Sequence, residues 1–310
     1  MKILLLGGAG FIGSNLCNHL SLTHEIIVYD RPGAFFGNIE KSKSVHFFEG
    51  DFFNSSSLEF VFEKFKIEIV IHLISTTNPQ ECLSSIISDV DINLINTIKL
   101  IDIMINHNVN KIIYFSSGGT VYGNNGESIN SESSLTYPIN SYGWLKLTIE
   151  NYIRMQSFQK NLNYLIVRPS NPYGPFQNIW GKQGLVGVML GKLVTNMPIE
   201  IWGDGSIIRD YIYIDDLCKI VEEFINKNVW NDTFNIGSSK GLSINEIVEL
   251  IKRISNSDLE VMYKKGRKTD FPVNILCMKK TLKVIGSFSI TSAEEGILKT
   301  WVWVKNIIKQ

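Results

Sequence analysis

The twelve residues KILLLGGAGFIG, 2 to 13, constrain the fold more than any other stretch of the chain. A short continuous apolar run that ends in glycine is the pattern of a strand buried on both faces of a parallel sheet. The following FIGSNLCNHLSL has helical periodicity, and HEIIVYD, 24 to 30, is a second apolar run that ends on an acid. Gly7, Gly10 and Gly13 therefore lie between a strand and a helix. There, glycines permit a tight turn and let the backbone approach a pyrophosphate held at the helix N-terminus; a turn with no ligand is the plainer alternative. The spacing is GxxGxxG rather than GxGxxG. Asp30, closing the second strand, is placed to accept from a ribose 2′-hydroxyl and to repel a 2′-phosphate, which favours NAD. Arg31 next to it keeps NADP open.

Strand and helix then continue to alternate. VHFFEGD, EIVIHLI (68 to 74), KIIYFSS (111 to 117) and NYLIVRPS (163 to 170) read as strands. SSLEFVFEKF, DINLINTIKLIDIMINH and the stretch around YGWLKLTIENYIRMQ read as helices. This predicts an α/β fold with a Rossmann-type doubly wound parallel sheet over 1–170 and ligands at the carboxyl ends of the strands. After Ser170 the texture turns rich in Gly, Asn and Pro, and elements become shorter. A smaller, mixed α/β substrate-binding domain is expected over 171–310. The segment 210–238 is expected to return to the large sheet through the strand DTFNIGS, and helix 243–254 to start at a capping box of Ser243 and Glu246.

Composition narrows the function classes. Thirty acidic and thirty basic side chains cancel, and the lysines are scattered, which leaves no footprint for a nucleic acid. Cys17, Cys82, Cys218 and Cys277 show neither CxxC pairing nor a histidine at ligand spacing, so no metal and no disulfide framework are expected. Reduced thiols and the absence of a membrane-length apolar run point to the cytoplasm, with no membrane partner.

In SYGWLK, Tyr142 and Lys146 lie four apart on a predicted helix and face the same side. A phenol with its ordinary pKa near ~10 is a poor base at neutral pH. A neighbouring ammonium and a positively charged nicotinamide favour its phenolate, which makes Tyr142 a candidate general base. A YxxxK on an ordinary surface helix is the alternative. Just upstream, YFSSGGTVYG (114 to 123) supplies hydroxyls at the end of a strand.

Together GGAGFIG, GD at 50 to 51, HL at 72 to 73, SSGGTVYG, YGWLK, RPSNPYGP, IEIWGDG, RDYIYIDDL, FNIGS, GRKTD and EEGILKTWVW resemble the extended short-chain dehydrogenase/reductase family over essentially the whole chain. Within it, the resemblance is to the NAD-dependent nucleotide-sugar epimerases and dehydratases, UDP-hexose 4-epimerases above all. It implies that Tyr142 takes the proton of the sugar C4 hydroxyl and that Lys146 holds the nicotinamide ribose and tunes Tyr142. It implies cofactor contacts at Gly7, Gly10, Phe11, Ile12, Gly13, Asp30, Asp51, Leu73, Asn93 and Ser116. Asn171, Arg209, Arg267 and Asp270 would face the nucleotide sugar, the arginines as clamps on its diphosphate. Plainer readings stand beside these: Arg209 with Asp210 as a surface ion pair, and Asn171 before Pro172 as a turn residue. Trp202 is either a base-stacking ring or core. A homodimer built on two long helices per chain is also implied.

The chain departs from the family at one position: where the catalytic Ser or Thr usually stands, three residues before the valine of VYG, it has Gly118. Ser117, at the end of the predicted strand, is the first substitute and Thr120 the second, with Ser116 assigned to the cofactor. Gly119 and Thr120 also occupy the positions where dehydratases carry Asp and Glu, which disfavours elimination. The expected activity is 4-epimerisation of a UDP-sugar, glucose/galactose or their N-acetyl forms. An NADPH-dependent 4-keto-sugar reductase and a non-enzymatic NAD(P) sensor are the alternatives.

Overall fold

The computed structural model describes residues 1–76, 86–257, 260–266 and 271–308, which divide into two compact units. The first comprises 1–123, 136–168 and 222–234. Its strands are β1 (Lys2–Leu6), β2 (Glu25–Asp30), β3 (Val45–Glu49), β4 (Ile69–His72), β5 (Lys111–Phe115), β6 (Asn163–Pro169) and β7 (Asp232–Ile236). They form one sheet in the order β3-β2-β1-β4-β5-β6-β7. Every pairing from β3 through β6 is parallel. The winding reverses between β1 and β4, which opens a crevice at their carboxyl ends. Ile3 to Leu6, Ile26 to Val28 and Val70 to Ile71 are fully buried, as the continuous apolar runs require.

The helices are α1 (Phe11–Leu20), α2 (Ser55–Lys64), α3 (Asn96–Asn106) and α4 (Ser141–Lys160). Leu145, Ile149 and Ile153 of α4 join Leu4, Val70, Ile112 and Tyr114 of the sheet in one apolar core. The helical pattern read over DINLINTIKLIDIMINH holds from Asn96 onward, but Val90–Ile95 is wound as a π-turn. Two buried asparagine amides account for it: Asn93 donates to the Asp89 carbonyl, and Asn96 to those of Asp91 and Ile92. These bonds satisfy carbonyls that a wider turn releases from the ordinary ladder. A second difference is the end of β5 at Phe115, two residues short of the strand read to Ser117.

The second unit comprises 124–135, 169–221 and 235–310. The strand Ile208–Tyr213 is its hub: it pairs antiparallel with Gly241–Ser243 and parallel with Val273–Leu276 and Asn171–Tyr173. Val261–Lys264 and Ile199–Trp202 form a separate parallel pair. Helix Ile244–Ser255 starts at the capping box read from the sequence: Ser243 Oγ accepts from the Glu246 N–H, and the Glu246 carboxylate accepts from the Ser243 N–H. Among the described residues no helix is long and apolar enough to cross a membrane.

Removing one arm of that box leaves a helix amide without its acceptor. Ser243→Ala should therefore lower unfolding free energy by about 1 kcal/mol, read as a shift in urea midpoint with an unchanged slope.

Candidate active site

The loop after β1 is built for close approach. A Cβ on Gly13 would meet the Gly8 Cα at 2.6 Å and collide with the Gly7 carbonyl oxygen, so only glycine lets α1 start this near the strand. Gly10 caps α1 without a side chain, and the first amides of the helix, on Phe11, Ile12 and Gly13, have no intrahelical acceptor. A helix N-terminus without a side-chain cap suits a pyrophosphate. Asp30 accepts from the Ala9 N–H at 2.9 Å and the Arg31 N–H at 2.8 Å, which fixes its carboxylate beside the glycine loop. An anion there opposes a 2′-phosphate, while the neighbouring Arg31 is exposed. The loop, helix terminus and acid together fit NAD. Leu73 and Ile74, following β4, lie against Gly7, and Leu73 donates its N–H to Leu6. Asn93 binds that same segment, its amide oxygen accepting from the Thr76 N–H at 3.1 Å and its NH2 donating to the Thr76 hydroxyl. Asp51 is exposed in the turn after β3, where its carboxylate accepts from the Phe53 N–H.

Tyr142 and Lys146 project from the first two turns of α4, whose N-terminus is capped by the Asn140 side chain accepting from the Gly143 N–H at 2.8 Å. Gly143 is forced by packing: a Cβ there would stand 2.8 Å from the Thr120 carbonyl oxygen. The turn after β5 is thereby laid on the start of the helix. Lys146 is buried; it donates to the Phe115 carbonyl at 2.8 Å, and its Nζ lies 5.8 Å from the centre of the Tyr142 ring and 5.0 Å from that of Tyr114. Burial lowers its pKa from the ordinary 10.5 to about 8, with Glu150 pulling the other way. A small pocket is lined by Ser75, Asn93, Tyr114, Tyr142 and Lys146 together with aliphatic side chains. His72, behind Tyr114, is held neutral, its pKa near 3 through burial and then the charge of Lys146.

The hydroxyls of the turn have distinct surroundings. Ser116 donates to the buried Glu150 carboxylate at 2.5 Å, so its proton is committed within the protein. Ser117 is half-buried, and its carbonyl accepts from the Thr120 and Val121 N–H groups. Thr120 carries a buried Oγ1 with no hydrogen-bond partner among the described residues. Leaving a buried hydroxyl unpaired costs free energy, and such groups gather where a ligand or reacting atom completes them. Glu150, Arg168 and Tyr114 are neighbours of the site that the motif reading missed. Glu150 was detectable, since it stands one turn beyond Lys146 and on the same face of α4.

In the second unit, Arg209 Nη1 donates to the carbonyls of Ile208 and Phe271 at 2.9 Å each, and its guanidinium lies 4.5 Å from the Phe271 ring centre. The surface ion-pair alternative fails: Asp210 is buried and accepts from Ser238, Ser239 and Leu276. Asn171 opens a strand rather than a turn, and its amide donates to the Asp210 carbonyl at 2.7 Å. The core alternative for Trp202 also fails, because the ring is 40% exposed, with Lys264 Nζ 5.8 Å from its centre. Arg267 and Asp270 lie outside the described residues.

The depressed pKa of Lys146 has a thermodynamic signature. Below about 8 the lysine is charged in both states and its burial costs about 3 kcal/mol. From about 8 to 10.5 the unfolded chain binds more protons than the folded one, so stability rises with pH. The stability deficit of the natural protein relative to Lys146→Met should narrow across that window in urea titrations, and stay flat from pH 6 to 7.

The NAD dependent epimerase/dehydratase family matches residues 3–237. The UDP-glucose 4-epimerase of Halalkalibacterium halodurans is 29% identical, over 98% of this chain and 96% of its own length. The dTDP-4-dehydro-6-deoxyglucose reductase of Escherichia coli is 30% identical, over 96% and 95% respectively. The crystal structure of UDP-glucose 4-epimerase from Thermotoga maritima with UDP-glucose superimposes with a TM-score of 0.93 at 30% identity, covering 99% of this chain and 100% of that one. The chain is a member of the NAD-dependent epimerase/dehydratase family.

Proposed function

We propose that this protein is an NAD-dependent UDP-sugar 4-epimerase. The observation that carries the reading is a buried ammonium 5.8 Å from the centre of a tyrosine ring on the same helix face, packed beneath a turn that offers hydroxyls and no carboxylate. NAD, when bound, supplies a reversible two-electron acceptor for the C4 hydride. Tyr142 as phenolate takes the proton of the C4 hydroxyl, and the ammonium of Lys146 stabilises that phenolate. The Thr120 hydroxyl, buried and unpaired, is the candidate donor to the C4 oxygen, with Ser117 as the second. Tyr142 then returns its proton to the oxygen of the 4-keto sugar. Inversion at C4 requires that this sugar turn its other face before it is reduced. Gly119 and Thr120 provide no acid or base for loss of water across C5 and C6. Arg209, Asn171 and Trp202, together with Arg267 and Asp270, are the proposed contacts to the nucleotide sugar.

A 4-keto-sugar reductase is the second reading, favoured by the exposed Arg31 beside Asp30 and by the similarity to the Escherichia coli reductase. The proposed working form is a cytoplasmic homodimer. Its support is an exposed stripe along α4, Trp144, Met155 and Phe158, the last 91% exposed.

Incubation with UDP-galactose, and separately with UDP-N-acetylglucosamine, should yield the C4 epimer of at least one sugar without net change in NADH absorbance. Steady NADPH consumption with a 4-keto sugar, and no epimer, would select the reductase instead. Tyr142→Phe should lower kcat by about 10²- to 10⁴-fold with the melting temperature retained. Thr120→Val should lose more activity than Ser117→Ala; the reverse order would transfer the donor role to Ser117.

A further inference from the structure

Beneath the Tyr142/Lys146 pair lies a buried ionic cluster that no motif assigns. Glu150 of α4 is fully buried. Its carboxylate accepts from Arg168 Nε at 2.9 Å and Nη2 at 2.6 Å, from Arg154 Nη2 at 2.8 Å, and from Ser116 Oγ at 2.5 Å. Arg168, on β6, uses Nη1 to donate to the Tyr122 hydroxyl at 3.0 Å. Its guanidinium also lies 5.0 Å from the Tyr122 ring centre.

Ser116 and Tyr122 flank the turn that carries Ser117, Gly118, Gly119 and Thr120. One carboxylate and one guanidinium therefore tie down both ends of the segment that presents the hydroxyls. The same carboxylate lies one helical turn beyond Lys146. A merely structural salt bridge needs neither contact, and a buried ion pair is weak evidence for stability, since apolar residues of similar volume commonly do as well.

We propose that Glu150 is a positioning residue for the reaction: through Arg168 and Ser116 it holds the 116–122 turn in register with Tyr142, and its charge keeps Lys146 an ammonium. This rests on the epimerase reading for the roles of Tyr142 and Lys146, but the cluster itself does not. The charged and titratable groups around Lys146 are Tyr142 and Glu150 on its own helix, Tyr114 on β5 and His72 on β4. His72 is neutral near pH 7, and burial holds the Tyr114 phenol well above its ordinary value. Burial pushes the Glu150 carboxyl up, but the bonds from Arg168 and Ser116 and the charge of Arg154 overcome it, so the group stays ionised. Glu150 is thus the negative charge that offsets the burial of Lys146.

The test separates charge from geometry by a readout independent of turnover. Protein carrying lysine labelled at Cε is titrated by NMR, with the Lys146 signal assigned through Lys146→Arg. In Glu150→Gln the Lys146 midpoint should fall by roughly one pH unit, because a negative charge is lost while Arg154 and Arg168 remain. The alkaline limb of kcat/KM should move with it. A folded Glu150→Gln protein whose Lys146 midpoint is unchanged overturns the charge role, whether or not the protein epimerises any sugar.

If Glu150→Gln does not fold, Glu150→Asp decides. Its charge is kept, so the Lys146 midpoint should stay at the natural value. Its shorter side chain cannot reach Ser116 and Arg168 together, so kcat should fall roughly tenfold with KM unchanged, as for an interaction made only in the transition state. Undiminished kcat in Glu150→Asp overturns the positioning role. Titrations that behave as expected, in a protein that epimerises none of the sugars offered, would leave Glu150 tuning Lys146 and remove the epimerase reading alone.

Discussion

Three charged side chains, Lys146, Glu150 and Arg168, are buried in a unit whose core is built mainly of Ile, Leu, Val and aromatic rings. A single charge taken out of water costs several kcal/mol, and each of these is answered by another charge or by backbone. Lys146 has the Phe115 carbonyl; Glu150 has two guanidinium groups and a serine; Arg168 has the carboxylate and a phenol. The rest of the first unit conforms to these bonds. β5 must end at Phe115 so that its carbonyl can turn to Lys146. The chain after it must bring Ser116 over α4, and the 117–120 turn must then lie on the first turn of that helix. Gly143 is the residue that makes this contact possible.

Much of the architecture was legible because it rests on patterns that sequence carries directly. Buried parallel strands are continuous apolar runs, the glycines near β1 are required by a close approach, and the capping box is a local pair of side chains. What escaped was set by bonds between distant residues. The π-turn at 90–95 depends on Asn93 and Asn96 reaching backbone carbonyls, and a periodicity in hydrophobicity registers no such bond. The early end of β5 has the same origin: Ser116 and Ser117 suit a strand locally, but Lys146 and Glu150 claim the Phe115 carbonyl and the Ser116 hydroxyl. The pairing of Tyr142 with Lys146 was legible as a spacing, whereas Arg168 lies 18 residues from Glu150 and only the sheet brings them together.

The missing hydroxyl at Gly118 can be understood from the same bonds. A residue with a side chain at 118 would project from a buried position in a turn already fixed by Ser116 on one side and Tyr122 on the other. Gly118 itself carries no hydroxyl, and Thr120, two residues on, carries one that is buried and has no hydrogen-bond partner among the described residues. An unpaired buried hydroxyl is a standing cost of about 1 to 3 kcal/mol, and a valine of nearly the same shape would not bear it. A hydroxyl with no partner among the described residues is explained less readily by stability than by the proposed chemistry, in which it would donate to a substrate oxygen. On the proposed epimerase reading, the double glycine would move the hydroxyl from 118 to 120. The bonds of Glu150 to Ser116 and of Arg168 to Tyr122 fix the two ends of the turn that carries this hydroxyl, and on the proposed reading that geometry would decide its reach towards the oxygen assigned to Tyr142.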